Sequence, residues 1–143
     1  MTSGMAKDSV IKDAKQMSQF LHRERVNFIC DFTDLVHGRF PEPPTAAFTR
    51  FLKELNNRIT PWITLEEPEF SLKQVVSLIN TYDLRRVIRV SLRQPGESTD
   101  NRYLKPDQIE EAVRSLFSYT DLLDTFRVKL NFDCGFGPCC FTD

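Results

Sequence analysis

The residues of this chain whose types and spacing best suit chemistry are its arginines. Between Arg85 and Lys105 stand six basic residues, Arg85, Arg86, Arg89, Arg93, Arg102 and Lys105, against two acidic ones, Glu97 and Asp100, a local charge of +4. A guanidinium grips a phosphate or carboxylate through parallel N–H bonds, so arginines two or four apart on a strand face suit an anionic ligand. Arg85, Arg86, Arg89 and Arg93 are the residues expected to form such a site, for nucleic acid or a phosphorylated partner. The next segment, 106–124, carries five acids (Asp107, Glu110, Glu111, Asp121, Asp124) against Arg114, a local charge of -4, and can neutralise the basic one inside the fold. A solvated or self-paired face is the ordinary outcome of such a pattern. Tyr103 is the one aromatic interleaved with these cations, which gives single-stranded nucleic acid little footing.

The thiols and imidazoles offer less. Cys134, Cys139 and Cys140 crowd the tail, and a structural zinc site needs four ligands, usually as two close pairs. Adjacent Cys139 and Cys140 fit one ion poorly, and the fourth ligand would have to be the distant Cys30, His22 or His37. A Cys134–Cys139 disulfide is conceivable, but a chain without a signal-like N-terminus or an Asn-x-Ser/Thr sequon is expected inside the cell, with reduced thiols. The terminal Cys140-Phe-Thr-Asp143 is a poor prenylation box. For catalysis, a nucleophile needs a base and an orienting acid. His22 and His37 lie about four helical turns apart, and the trio Cys30, Asp34 and His37, at near-helical steps, reads as a packed Cys beside surface polar groups. A glycine-rich phosphate loop, a paired-His metal motif and a nucleophile elbow are all missing. No catalytic residue, metal or cofactor is expected.

Twelve Phe against one Trp and three Tyr is the compositional skew, and six of them (Phe20, Phe28, Phe32, Phe40, Phe48, Phe51) fall between 20 and 51. An apolar helical stripe is ordinarily core. Here the apolar surface exceeds what a small domain obviously needs, so Phe28, Phe32, Phe48 and Phe51 are read as a surface for a protein partner or a second copy of the chain. The leading expectation is thus a non-enzymatic protein-interaction or self-association module of adaptor type. The anionic-ligand reading stands as its rival, with nucleic acid the less favoured partner.

The elements that must position these groups follow from periodicity. Apolar residues from Val10 to Val36 recur at three- and four-residue steps and predict a helix over 9–37 ending at Gly38, with the polar stretch His22-Arg23-Glu24-Arg25 either an exposed turn within it or a break between two shorter helices. Phe40-Pro41-Glu42-Pro43-Pro44 predicts a rigid linker. Phe48, Phe51, Leu52, Leu55 and Ile59 predict a second helix over 45–59, stopped by Pro61 and followed by the short apolar patch Trp62, Ile63 and Leu65. A third helix is expected over 71–82 and a fourth over 106–124, with Pro106 in its first turn. Alternation predicts strands near 86–93 and 126–132, the first followed by an exposed polar loop over 94–102.

The predicted architecture is α+β and mainly helical, with about four helices on one face of a two-stranded sheet. Residues 9–132 would form one domain, 1–8 a disordered or non-native leader, and 133–143 an irregular Cys-rich tail. Net charge -1 argues against a general polyanion binder, and no apolar run approaches the ~20 residues that span a bilayer, so no membrane partner is expected. The location expected is cytoplasmic or nuclear.

Overall fold

The apolar alternation near Ile88 extends, in the computed structural model, across a parallel sheet. The structure describes residues 2–3, 12, 16, 27–40, 45–93 and 102–133. In chain order these form β1 (Thr2–Ser3), β2 (Phe28–Asp31), α1 (Thr33–Val36), α2 (Ala46–Leu55), a single 3₁₀ turn (Asn56–Arg58), β3 (Ile59–Leu65), α3 (Lys73–Tyr82), β4 (Val87–Leu92), α4 (Pro106–Phe117), α5 (Thr120–Thr125) and β5 (Lys129–Phe132).

Local chemistry explains the boundaries. Thr45 Oγ1 accepts the Phe48 N–H at 3.2 Å and starts α2, whose Phe48, Phe51, Leu52 and Leu55 are buried on one stripe. Helix α3 ends at Asp83, which adopts φ 51. Pro106 opens α4, where the Gln108 side-chain Oε1 accepts the Lys105 N–H at 3.0 Å. Gly38, at φ 67, turns the chain after α1.

The four main strands lie side by side in sequence order, all parallel, with the two residues of β1 paired along the outer edge of β2. Each crossover steps to the next strand in the same direction. Crossovers of one hand then place the helices on one face. Burial agrees: Cys30, Ile59, Ile63, Leu65, Ile88, Val90 and Leu92 point into a single apolar cluster with residues of α2, α3 and α4. The register puts the other set on the opposite face, where Ile29 pairs with Thr60, Asp31 with Trp62, Trp62 with Arg89 and Arg89 with Asn131.

The expected two-stranded sheet is therefore corrected. The sheet has four full strands, and β2 and β3 are the ones the pattern hides. Residues 28–36, read as helix, are a strand followed by one helical turn, because Phe28, Cys30 and Phe32 alternate toward the core before Leu35 and Val36 join them. Residues 59–65 form a strand despite Pro61, whose missing N–H falls just before the ladder to β4 begins at Trp62. The helix predicted over 106–124 is two helices, and the strand near 126–132 begins only at Lys129, after Arg127 at φ 54. The linker prolines 41–44, the loop 94–101 and the tail cysteines lie outside the described residues, as does most of 1–26. Among the described residues no helix is long and apolar enough to cross a membrane.

Candidate functional site

The polar groups of this fold gather where the strands end. Parallel strands all present their carboxyl ends to the same edge, so the residues just after β2, β3, β4 and β5 meet there. After β3 comes Glu66, whose side chain is only 3% exposed. A carboxylate so removed from water requires partners, and among the described residues it has two: Oε2 accepts from Arg39 Nη2 and Oε1 is ion-paired with Arg93 Nη2, each at 2.5 Å. Arg39 arrives from the turn after α1, and Arg93 directly follows β4, its N–H bonded to the Leu65 carbonyl at 3.2 Å.

Arg39 is saturated. Its Nε also donates to Asp34 at 3.1 Å and its Nη1 to Glu67 at 3.0 Å. Burial opposes its charge, but the bonds to Glu66 and Asp34 outweigh that and hold the guanidinium above its ordinary range. Asp34 and Glu67 are well exposed, so those arms add little stability; the Glu66 arm is the structural one. Arg93 differs. It is 26% exposed, and among the described residues its one partner is Glu66, which occupies a single nitrogen.

Next to β5, Arg89 forms a two-pronged pair with Asp133, Nε to Oδ2 at 2.7 Å and Nη2 to Oδ1 at 2.8 Å. Between the Arg89 and Arg93 levels lie the small hydroxyl residues Thr64 and Ser91. Their oxygens are 3.2 Å apart, and both residues are buried. Thr33 Oγ1 accepts the Thr64 N–H at 2.9 Å, standing in for a strand carbonyl where β2 has already turned into α1. Asp31 Oδ1 accepts the Thr33 N–H at 2.8 Å and fixes that turn. His37 Nε2 lies 3.2 Å from the Thr64 carbonyl, which can only accept, so the proton sits on Nε2, and among the described residues the buried Nδ1 has no partner.

The structure divides the predicted arginine quartet. Arg89 and Arg93 share the polar face, while Arg85 and Arg86 stand before β4 at the opposite end of the sheet, with Arg86 Nη1 donating to the Phe126 carbonyl at 2.7 Å. The neutralising acids for Arg89 and Arg93 are Asp133 and Glu66, not those of 106–124. The Cys30, Asp34 and His37 trio does not assemble: Cys30 points into the core from β2, Asp34 binds Arg39, and His37 binds Thr64. Of the predicted partner-binding set, Phe32, Phe48 and Phe51 are 2–3% exposed inside the core, and Phe28 is half-buried against it. Phe48 makes an edge contact with Phe32 at 6.0 Å and a tilted one with Phe40 at 4.7 Å. Sequence reasoning passed over Glu66, Arg39 and Trp62. The available signal was an acid directly after the apolar run 62–65, where a strand end would put it.

Comparison of the chain with protein-family models, with curated proteins and with solved structures finds no match.

Proposed function

We propose that the chain binds an anionic ligand, through a phosphate or carboxylate group, on the polar face of β4, with Arg93 as the gripping residue and Arg89 beside it. The observation that carries this reading is the state of Arg93. One nitrogen is anchored on a buried carboxylate, the group is a quarter exposed, and its remaining donors have no partner among the described residues. An anchored guanidinium loses little freedom when it binds, so less of the interaction is spent on ordering. The location supports it as well, since parallel βα folds hold their ligands at the carboxyl ends of their strands. The reading is one of binding and includes no reaction and no cofactor. Association through the Phe surface keeps only Phe28 for support, because the other three fill the core.

Thermal unfolding with inorganic phosphate tests this. Phosphate should raise the midpoint of the unaltered chain at low salt and less so at high salt. Arg93→Gln should abolish the rise, whereas Arg86→Gln, at the far end of the sheet, should leave it intact. A rise that survives in Arg93→Gln refutes the assignment.

A further inference from the structure

Among the described residues other than glycine, Asn56, Asp83 and Arg127 have positive φ. Asp83 takes the ordinary left-handed form, φ 51 with ψ 47, but Asn56, at φ 31 and ψ -117, lies far from it. The fold holds Asn56 there from both sides. Its N–H bonds to the Leu52 carbonyl at the end of α2, and its own carbonyl accepts the N–H of Ile59 at the start of β3. The flanking Leu55 and Ile59 are fixed in the core, while Asn56 and Asn57 are exposed.

That value of ψ has a chemical consequence. Substituents on a tetrahedral carbon stand about 120° apart in projection, so in an L residue a ψ of about -120° brings the next nitrogen into line with Cβ. At ψ -117 the Asn57 nitrogen therefore sits over the Asn56 side chain, 2.6 Å from Oδ1. The amide carbon Cγ is one C=O bond, ~1.23 Å, from that oxygen, so it lies within about 3.8 Å of the nitrogen. The Asn57 nitrogen and the carbonyl carbon, Cα, Cβ and Cγ of Asn56 are the five atoms of a succinimide ring. The torsion about Cα–C is already at its ring value, and the fold keeps it there.

We propose that Asn56 is a site of spontaneous deamidation, created by the turn between α2 and β3. Water or hydroxide takes the proton of the Asn57 N–H, and the nitrogen's electron pair forms a bond to Cγ. The Cγ–Nδ2 bond then breaks, and Nδ2 takes a proton from water and leaves as ammonia. A water molecule opens the ring at Cγ to give aspartate, or at the Asn56 backbone carbonyl to give isoaspartate. One water is consumed for each ammonia released, and nothing is oxidised or reduced. In the structure the N–H points at Oδ1, so the amide must first turn about Cβ–Cγ, a rotation open to an exposed side chain. The product carries a negative charge at the C-terminal end of α2, where the helix dipole opposes it.

The test compares one asparagine in two states of the same chain. In an unfolded chain only about a few per cent of non-glycine residues visit positive φ, so folding should speed the reaction at Asn56 about fivefold or more. At Asn80 in α3 and Asn131 in β5, which regular elements hold, folding should slow it. The full chain is incubated at mildly alkaline pH, folded in buffer and unfolded in guanidinium chloride, and digested with trypsin. Cleavage after Lys53 and Arg58 yields peptide 54–58, which carries both Asn56 and Asn57, and fragment masses assign the converted residue. Labelling by an isoaspartyl methyltransferase reports the ring-opened isomer. Faster conversion of Asn56 in the folded chain, with isoaspartate among the products, supports the proposal. An acceleration below about fivefold, conversion at Asn57 instead, or aspartate alone overturns it.

Discussion

Glu66→Gln is the substitution that most directly probes the carboxyl-end network. The change is nearly isosteric, so packing is conserved and only charge and bonding differ. The carboxylate accepts an N–H from Arg39 at 2.5 Å and is ion-paired with Arg93 at 2.5 Å. A glutamine has a single carbonyl oxygen, and its NH₂ must face the other guanidinium, donor against donor. One charge-assisted bond is lost, worth about 1.5–3 kcal/mol, and the survivor weakens because its acceptor is now neutral. Two effects pull the other way. A neutral side chain costs less to bury, and both arginines, 23% and 26% exposed, can turn partly to water. The net expectation is a loss of about 2–3 kcal/mol.

For a chain of 143 residues the unfolding entropy is roughly 0.3 kcal/mol/K, so the midpoint should fall by about 7–10 °C. Calorimetry and circular dichroism on both forms provide the measurement, with coincident transitions as the check on two-state behaviour. Because Glu66 is shielded from water, added salt should leave most of the difference in place. A double-mutant cycle with Arg93→Gln should return a coupling of about 1 kcal/mol or more. A midpoint shift below about 2 °C, or one that disappears in high salt, would falsify the view of Glu66 as a buried bridge.

Two further outcomes follow from the fold. Phe48→Ala should cost about 3–5 kcal/mol in urea unfolding, since Phe48 is 2% exposed, and Phe28→Ala markedly less; equal losses would contradict the burial difference. Gly38→Ala should cost about 1 kcal/mol from backbone conformation alone, because an added Cβ meets nothing within 4 Å, whereas Arg127→Gly, at φ 54, should leave stability equal or higher.

Which parts of this architecture could be read in advance is a matter of how each segment is buried. Helices α2, α3 and α4 each bury one stripe, so their spacing declared them, and Thr45 and Pro106 marked two of their starts. Strand β4 was legible because its two faces differ, Ile88 and Val90 inward, Arg89 and Ser91 outward. Strand β3 is covered on both faces for six of its seven residues, so it shows no alternation, and Pro61 counterfeits a helix stop. Strand β2 hid differently: its core-facing residues run straight into the turn α1, and the joined spacing imitates a helix. The arginine quartet misled because sequence proximity is not proximity on a strand. Eight residues from Arg85 to Arg93 cover ~26 Å of extended chain, which sends its two ends to opposite edges of the sheet. Arg39 carried no local sign of its role at all. Its place over Glu66 depends on the left-handed turn at Gly38 and on a partner 27 positions away.

The one-directional winding also explains why polar chemistry collects where it does. A sheet that reverses its strand order receives helices on both faces, and both faces must then be apolar. This one does not reverse, and among the described residues the other face carries polar side chains that satisfy one another. They do so in two ways that leave different residues behind. In the middle, hydroxyls close on each other and on backbone, as Thr33, Thr64 and Ser91 do, and nothing is left over for a ligand. At the carboxyl edge, charges from neighbouring strand ends pair across the gap. Among the described residues Arg39 and Arg89 spend two or more nitrogens on carboxylates, and Arg93 spends one. Among the described residues of this face Arg93 is thus the partly spent guanidinium, and that asymmetry is the physical basis of the proposal that a ligand binds there.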